Sequence, residues 1–170
     1  KGSQIKNKEF VAFVSKLNQL AFLETLRLSL TSANEIEQAD FILKNMPKLK
    51  SFDITISSCE NLGLFNLELV EHKCLETMQL SFKDYYGNIE IKLASIQPQK
   101  VLLCAPGSYI PDQVVSGMIH SIAKVSEKLK ALDLNFEAAQ SMISPEIDLR
   151  EFPILENFAL NWKNCPYLKS

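Results

Sequence analysis

The sequence predicts an α/β fold in which about six short parallel strands lie side by side, each followed by a segment that returns to the start of the next. Three observations lead to this prediction. Six nine-residue stretches resemble one another, they recur at a nearly constant spacing, and apolar and polar residues alternate within them. A chain of 170 residues has the length of one domain.

The six repeated stretches start with the same kind of residue in five cases. The leading leucines are Leu23, Leu49, Leu75, Leu129 and Leu155. The remaining stretch, 99–107, is degenerate, and the alignment places Lys100 at its leading position. The leading positions then recur with a period of about 26 residues. A spacing this regular indicates that the chain is built from one repeated structural unit.

The alternation predicts which side chains of each strand are buried, because successive residues of a strand point to opposite faces. In the first stretch the buried residues are Leu26, Leu28 and Leu30, and in the last they are Phe158, Leu160 and Trp162. The residues between the apolar positions point away from the core. They are Thr25, Arg27, Ser29; Ser51, Asp53, Thr55; Thr77, Gln79, Ser81; Leu102, Cys104, Pro106; Ala131, Asp133, Asn135; and Asn157, Ala159, Asn161.

Three segments between the stretches have a helical pattern of apolar residues. We predict an opening helix over 5–18, a helix over 33–45 and a helix over 111–126. Ser32 followed by Glu35 is a capping signal for the second helix.

The other return segments are less regular. Residues 62–69 and 89–93 alternate apolar and polar side chains, which favours an extended or irregular return. Pro145 interrupts 138–150, so any helix there is short.

The repeated pattern L-x-x-L-x-L in units of about 26 residues resembles the leucine-rich repeat family. The resemblance extends from about residue 5 to residue 170. It implies a solenoid with about six parallel strands on the concave face and helices and irregular segments on the convex face. The ninth position of the units, Asn in many members, holds other residues here, so we expect no asparagine ladder. The helical returns favour the ribonuclease-inhibitor-like type of array.

The resemblance also predicts the domain organisation. We expect a single leucine-rich-repeat domain over 1–170, with an opening helix in 1–20, six repeats in 21–164 and the start of a further unit in 165–170. We further expect that the domain is part of a longer protein.

Composition and charge argue against several functions. The net charge is −2 with no basic stripe, so we expect no nucleic-acid partner, and no apolar run is long enough for a membrane span. The four cysteines form no closely spaced pair and only two histidines are present, so we predict free thiols and no metal site. We expect His72 in a solvated turn and His120 at or near the surface of its helix. No nucleophile and base can be assigned, so we predict a protein that is not an enzyme and has no cofactor.

Binding to another protein is therefore the predicted role. We expect the partner to dock on the concave face or on the loops at the strand ends, where tyrosine and arginine are common interface anchors. The candidate contacts are Arg27, Asp53, Gln79, Tyr85, Tyr86, Tyr109, Asp133, Asn135 and Asn161.

The period and openings such as CPYLKS are similar to the arrays of F-box proteins, the substrate receptors of cullin–RING ubiquitin ligases. This resemblance implies a substrate-recognition array in the cytoplasm or nucleus. The alternatives are the ligand-sensing array of an intracellular nucleotide-binding immune receptor, which FPILENFALNWKNCPYLKS also resembles, or a general scaffold.

Overall fold

The structure is a computed structural model that describes residues 6–44 and 46–168. Within these residues the chain forms two α-helices and nine strands in parallel sheets. In chain order they are α1 (Asn7–Leu17), β1 (Thr25–Thr31), β2 (Gln38–Leu43), β3 (Ser51–Ser57), β4 (Leu64–Val70), β5 (Thr77–Lys83), β6 (Asn88–Ala94), β7 (Lys100–Cys104), α2 (Asp112–Ala123), β8 (Ala131–Asn135) and β9 (Asn157–Asn161).

The six predicted strands form one parallel sheet in the order β1-β3-β5-β7-β8-β9. The prediction of about six parallel strands is confirmed. Between neighbouring strands of this sheet, one carbonyl oxygen just before a strand accepts hydrogen bonds from two backbone N–H groups at the start of the next strand. For example, Glu24 O accepts from Lys50 N at 2.8 Å and from Ser51 N at 3.1 Å. The same pair of bonds recurs at the carbonyls of Lys50, Glu76, Gln99 and Lys130.

The strand register corrects the alignment of the fourth stretch. Lys100 pairs with Thr77 of β5, so Pro98, and not Lys100, occupies the position of Leu75. The step from Thr77 to Lys100 is therefore shorter than the others, and its return segment contains β6. The step from Lys100 to Ala131 is longer, and its return segment contains α2. An error of two positions preserves the alternation, so the predicted faces of this strand are right.

A second sheet, with the order β2-β4-β6, lies on the other side of the core. The helix predicted over 33–45 is wrong, because Gln38–Leu43 forms β2. Ala39, Phe41 and Leu43 are fully buried at every second position, and β4 pairs with the β2 backbone. β4 and β6 confirm the extended returns predicted at 62–69 and 89–93.

The two helices lie at opposite edges of the second sheet. α1 packs against β2, where the Phe10 and Phe41 ring centroids are 5.0 Å apart. α2 packs against β6, and Ser121 Oγ donates to Ile91 O at 3.1 Å. Both lie within their predicted ranges. Residues 138–150 contain no α-helix, and only a 3₁₀ turn begins near their end, at Leu149–Glu151.

The core is a single cluster of apolar side chains from both sheets and both helices. Three aromatic rings connect the two sheets, since Phe65 of β4 lies 5.6 Å from Phe41 of β2 and 5.1 Å from Phe82 of β5. At β9 the prediction of buried side chains is wrong for Phe158, which is 38 % exposed. β9 is the last strand of the described sheet, so its inward side chains are covered on one side only.

The turn after each strand of the six-stranded sheet contains one residue in the left-handed region. These residues are Ser32, Ser58, Asp84, Gly107, Ala138 and Asn164. In three of the six units the next side chain donates to a carbonyl of the preceding unit. Cys59 Sγ donates to Leu30 O at 3.5 Å, Ser108 Oγ to Phe82 O at 2.7 Å and Cys165 Sγ to Phe136 O at 3.1 Å.

Candidate functional site

The candidate site is the outward face of the six-stranded sheet, meaning the side chains of its strands that point away from the core. In β3, β5 and β8 these side chains are half-buried and alternate with buried apolar ones. Parallel pairing aligns them in rows across the sheet. One row runs Arg27, Asp53, Gln79, Leu102, Asp133, Ala159, and the next runs Ser29, Thr55, Ser81, Cys104, Asn135, Asn161.

The pairing brings three predicted contact residues into one pocket of about 240 Å³. Asp53 lies between Arg27 on one side and Gln79 on the other, and Arg27 Nε is 3.9 Å from Asp53 Oδ2. Lys100 of β7 also lines this pocket. The first three residues meet because the two steps between their strands have the same length, which places equivalent positions of three units in one row.

Asp53 has one buried oxygen without a hydrogen-bond partner. Its Oδ1 atom is buried and accepts no hydrogen bond within the described part of the chain. The Thr77 hydroxyl lines the same pocket, but it donates to Ser51 Oγ at 3.0 Å and is therefore not available as a donor to Asp53. A buried carboxylate oxygen left unpaired is costly. A ligand that supplies an N–H or O–H donor to Asp53 Oδ1 would remove this cost.

The other three predicted residues of the outward face lie apart from the pocket. Asn161 Nδ2 donates to Asn135 Oδ1 at 3.2 Å and to Glu137 Oε2 at 3.3 Å. Asp133 is two strands away from Gln79 in the same row and pairs with Leu102 of β7, two residues before Cys104. Burial raises the pKa of the Cys104 thiol, and the charge of Asp133 raises it further. The outward face therefore has two polar groups, the Asp53 pocket and the Asn135–Asn161 cluster.

Tyr85 cannot contact a partner, which corrects its prediction as a contact residue. It is fully buried, and its hydroxyl donates to Asn88 O at 2.9 Å. Burial raises the pKa of this phenol well above its ordinary value. A Cβ atom at Gly87 would clash with the Tyr85 hydroxyl and Leu62 O, so the glycine makes room for the ring.

Tyr86 and Tyr109 are exposed and occupy equivalent positions in neighbouring units. They are 57 % and 51 % exposed, and Tyr109 N donates to Tyr85 O at 2.9 Å. Tyr109 also lines a shallow pocket of about 390 Å³ with Tyr167. Tyr167 and Lys100 were not predicted as contacts. Tyr167 lies in the predicted start of a further unit, and no sequence pattern indicated that it is exposed. Lys100 was not identified because the alignment of the fourth stretch placed it at the leading position, two positions out of register.

The histidines do not form a catalytic arrangement with the residues described. His72 was predicted in a solvated turn, but it is fully buried, with Nδ1 3.2 Å from Met46 O and Nε2 2.9 Å from Leu43 O. Through these two contacts, the His72 ring connects the turn that follows β4 to the end of β2 and the residues after it. His120 is exposed, with Nδ1 3.5 Å from Glu151 Oε2.

The described residues include no group of three or more His, Cys, Asp or Glu side chains that could hold a metal ion. The four cysteines are free, and Cys74 is exposed. Among the helices of residues 6–44 and 46–168, none is long and apolar enough to cross a membrane.

The chain matches no model of a protein family, no curated protein and no solved structure. Among the features of the outward face, the Asp53 pocket combines predicted contact residues with an unsatisfied buried atom.

Proposed function

We propose that this chain is a non-catalytic protein–protein interaction module of the leucine-rich-repeat type, and that its partner docks on the outward face of the six-stranded sheet. The observation that carries the proposal is the Asp53 pocket. It has a buried acceptor without a donor at Asp53, and its lining includes two cationic side chains, Arg27 and Lys100, and the amide of Gln79.

The side-chain donors after the strands support the leucine-rich-repeat assignment. The family's unit continues after its alternating apolar positions with Asn or Cys three residues later. In the third strand, Ile54, Ile56 and Cys59 have this spacing, and the Cys59 thiol donates to the preceding unit. Ser108 and Cys165 make equivalent bonds. These donors lie two residues after the ninth position of each unit. From the sequence alone we expected no asparagine ladder at the ninth position itself.

The dimensions of the outward face favour a protein over a small molecule. The face extends over six strands about 4.8 Å apart, and its pocket of about 240 Å³ is open and shallow. Small-molecule sites are deeper and more apolar. The exposed Tyr86 and Tyr109 at the strand ends add side chains of the kind found at interface centres.

Within this role, we propose the substrate-recognition array of an F-box type ubiquitin-ligase receptor acting in the cytoplasm or nucleus. The support is the similarity of sequence pattern, with three of the five steps between strands equal in length and one helical return at α2. The partner is then a protein that is selected for ubiquitylation.

The test is quantitative affinity capture with the wild-type chain, the double variant Arg27→Ala/Asp53→Ala and the matched control Glu90→Gln. Glu90 is an exposed residue of β6 in the second sheet, so its change leaves the outward face intact. We expect at least one partner that is bound by the wild type and the control and is reduced about 10-fold or more by the double variant, as for loss of an interface anchor. Equal recovery of every partner by all three proteins would reject the outward face as the docking site.

The ubiquitin-ligase role has a separate test. If the captured partner is a ligase substrate, its half-life in cells should lengthen when the double variant replaces the wild-type protein. A partner that binds through the outward face and has an unchanged half-life would leave the docking role in place and reject the ligase role.

A further inference from the structure

A third cavity, of about 530 Å³, lies away from the outward face, where return segments lead back toward the six-stranded sheet. Lys73 follows the turn after β4, and Gln97 precedes β7. Lys124 is the first residue after α2, and Lys128 lies in the 3₁₀ turn before β8. Three lysines, one from the turn after β4 and two from the segment after α2, therefore line one cavity.

The cavity is positively charged although the chain as a whole is slightly negative. None of its three lysines forms an ion pair with another described residue. The one acidic side chain in its lining is Glu127, and Glu127 Oε2 accepts a hydrogen bond from Gln97 Nε2 at 3.0 Å. Three lysines and one glutamate give the lining a charge of +2, whereas the chain carries −2.

Helix capping explains only part of this arrangement. A lysine at the carboxyl end of a helix is favourable because it faces the negative end of the helix dipole, and this accounts for Lys124. It does not account for Lys73, which comes from the turn after β4, in an earlier unit of the chain. Like charges that line the same cavity repel one another, and an anion bound there would reduce this repulsion.

The donors in the lining suit a phosphate group. Ammonium groups bind phosphate as point charges, and the Ser95 hydroxyl at the cavity wall adds a further donor. A phosphate monoester carries about −1.5 to −2 at neutral pH, which matches the lining charge better than a single carboxylate does.

We propose that this cavity binds a phosphate-bearing anion through Lys73, Lys124 and Lys128. The proposal is independent of docking on the outward face. The phosphate belongs either to a soluble compound or to the headgroup of an anionic lipid, and two measurements separate these sources.

The first measurement is a titration of the whole chain with inorganic pyrophosphate at constant ionic strength, followed by amide NMR shifts. We expect saturable shifts at Gln97 and Lys128, with the affinity reduced about 10-fold or more in Lys73→Gln/Lys124→Gln. Glu127→Gln, which removes the one negative charge, should raise the affinity several-fold. The control Lys92→Gln/Lys163→Gln makes the same change in net charge at two exposed lysines outside the cavity and should bind as the wild type does.

A second measurement replaces pyrophosphate by phosphatidylcholine vesicles with and without phosphatidylinositol 4,5-bisphosphate. Binding of pyrophosphate at the cavity without vesicle binding supports a soluble ligand. Binding to the phosphoinositide vesicles that the cavity variant loses and the control keeps supports a lipid headgroup. Shifts that do not saturate, or an equal loss of affinity in the cavity variant and the control, would overturn the proposal. Thermal unfolding of each variant establishes that it is folded.

Discussion

The two halves of the molecule both contribute strands to the six-stranded sheet, but they differ in the segments that connect these strands. In residues 25–94, each of β1, β3 and β5 is followed by a strand of the second sheet. In residues 100–161, β7 is followed by α2, and β8 by an irregular segment with one 3₁₀ turn. The six-stranded sheet nevertheless continues in parallel across both halves. The alternating pattern of the strands therefore determines the sheet, and the return segments are free to vary as long as they bury apolar side chains against it.

The irregular return from β8 to β9 is held by side chains in place of a strand ladder. Asp112 at the start of α2 accepts from Ile143 N at 3.0 Å and from Ser144 N at 2.8 Å. Ser116 Oγ accepts from Glu146 N at 3.1 Å. In the first half the backbone groups of β2, β4 and β6 pair with one another in a strand ladder.

The largest expected effect concerns the core of the first half. Phe65→Ala removes a fully buried ring that contacts Phe41 and Phe82, and we expect the free energy of unfolding to fall by about 3–5 kcal/mol. Leu149→Ala in the irregular return changes a side chain that is 43 % exposed and should cost less than about 1 kcal/mol. Chemical denaturation of both variants measures the difference. Equal losses would contradict the difference in burial between Phe65 and Leu149.

A smaller effect is expected at the support of the irregular return. Asp112→Ala leaves the N–H groups of Ile143 and Ser144 without their acceptor, which should cost about 1–3 kcal/mol. Amide hydrogen exchange should accelerate at these two residues and stay unchanged in β4. Unchanged exchange at Ile143 and Ser144 would show that Asp112 does not hold this segment.

The left-handed turns give a matched pair of still smaller effects. Gly107 has φ +69°, and a Cβ atom there would lie 2.5 Å from Asp84 Oδ1, so Gly107→Ala should lower the free energy of unfolding by about 1–2 kcal/mol. Ala138 occupies the equivalent position with φ 57°, and Ala138→Gly should change stability by less than about 1 kcal/mol. Thermal melts test the pair. A destabilising Ala138→Gly together with a neutral Gly107→Ala would contradict the equivalence of the turns.

The smallest effect is local and electrostatic. The Arg150 side chain donates to both Asp148 carboxylate oxygens and, with its backbone N–H, lowers the pKa of Asp148 to about 2. The carboxylate contact is therefore present above the ordinary value of 3.8 and is lost as the pH falls through about 2. In Arg150→Ala the pKa measured by NMR titration should rise toward 3.8. A pKa that stays near 2 would assign the shift to other groups.

The sequence predicted the six strands and their faces because alternation and spacing are properties of the chain itself. It placed Arg27, Asp53 and Gln79 at equivalent positions of their units, and the two equal steps between their strands bring these positions into one row. It did not predict the cluster of Lys73 with Lys124, because their proximity depends on the length and packing of α2.

Two other features could not be derived from local pattern. Ile36, Ala39 and Leu43 fit a helical face, whereas Ala39, Phe41 and Leu43 fit a strand, and only pairing with β4 decides between them. His72 lies in the polar run Glu71-His72-Lys73, and its burial arises from two carbonyl groups of the preceding unit. The register at β7 was ambiguous because Leu103 and Ala105 fit the alternation equally well with a shift of two positions.

The register at the junction of β5 and β7 tests the equivalence of the six strands most directly. Couplings through hydrogen bonds, measured by NMR on the labelled chain, identify which amide donates to which carbonyl. We predict couplings from Gln99 N and Lys100 N to the Glu76 carbonyl carbon, because these hydrogen bonds are 2.8 and 3.0 Å long. Couplings from Val101 and Leu102 to Glu76 instead, or from none of these amides, would contradict this prediction.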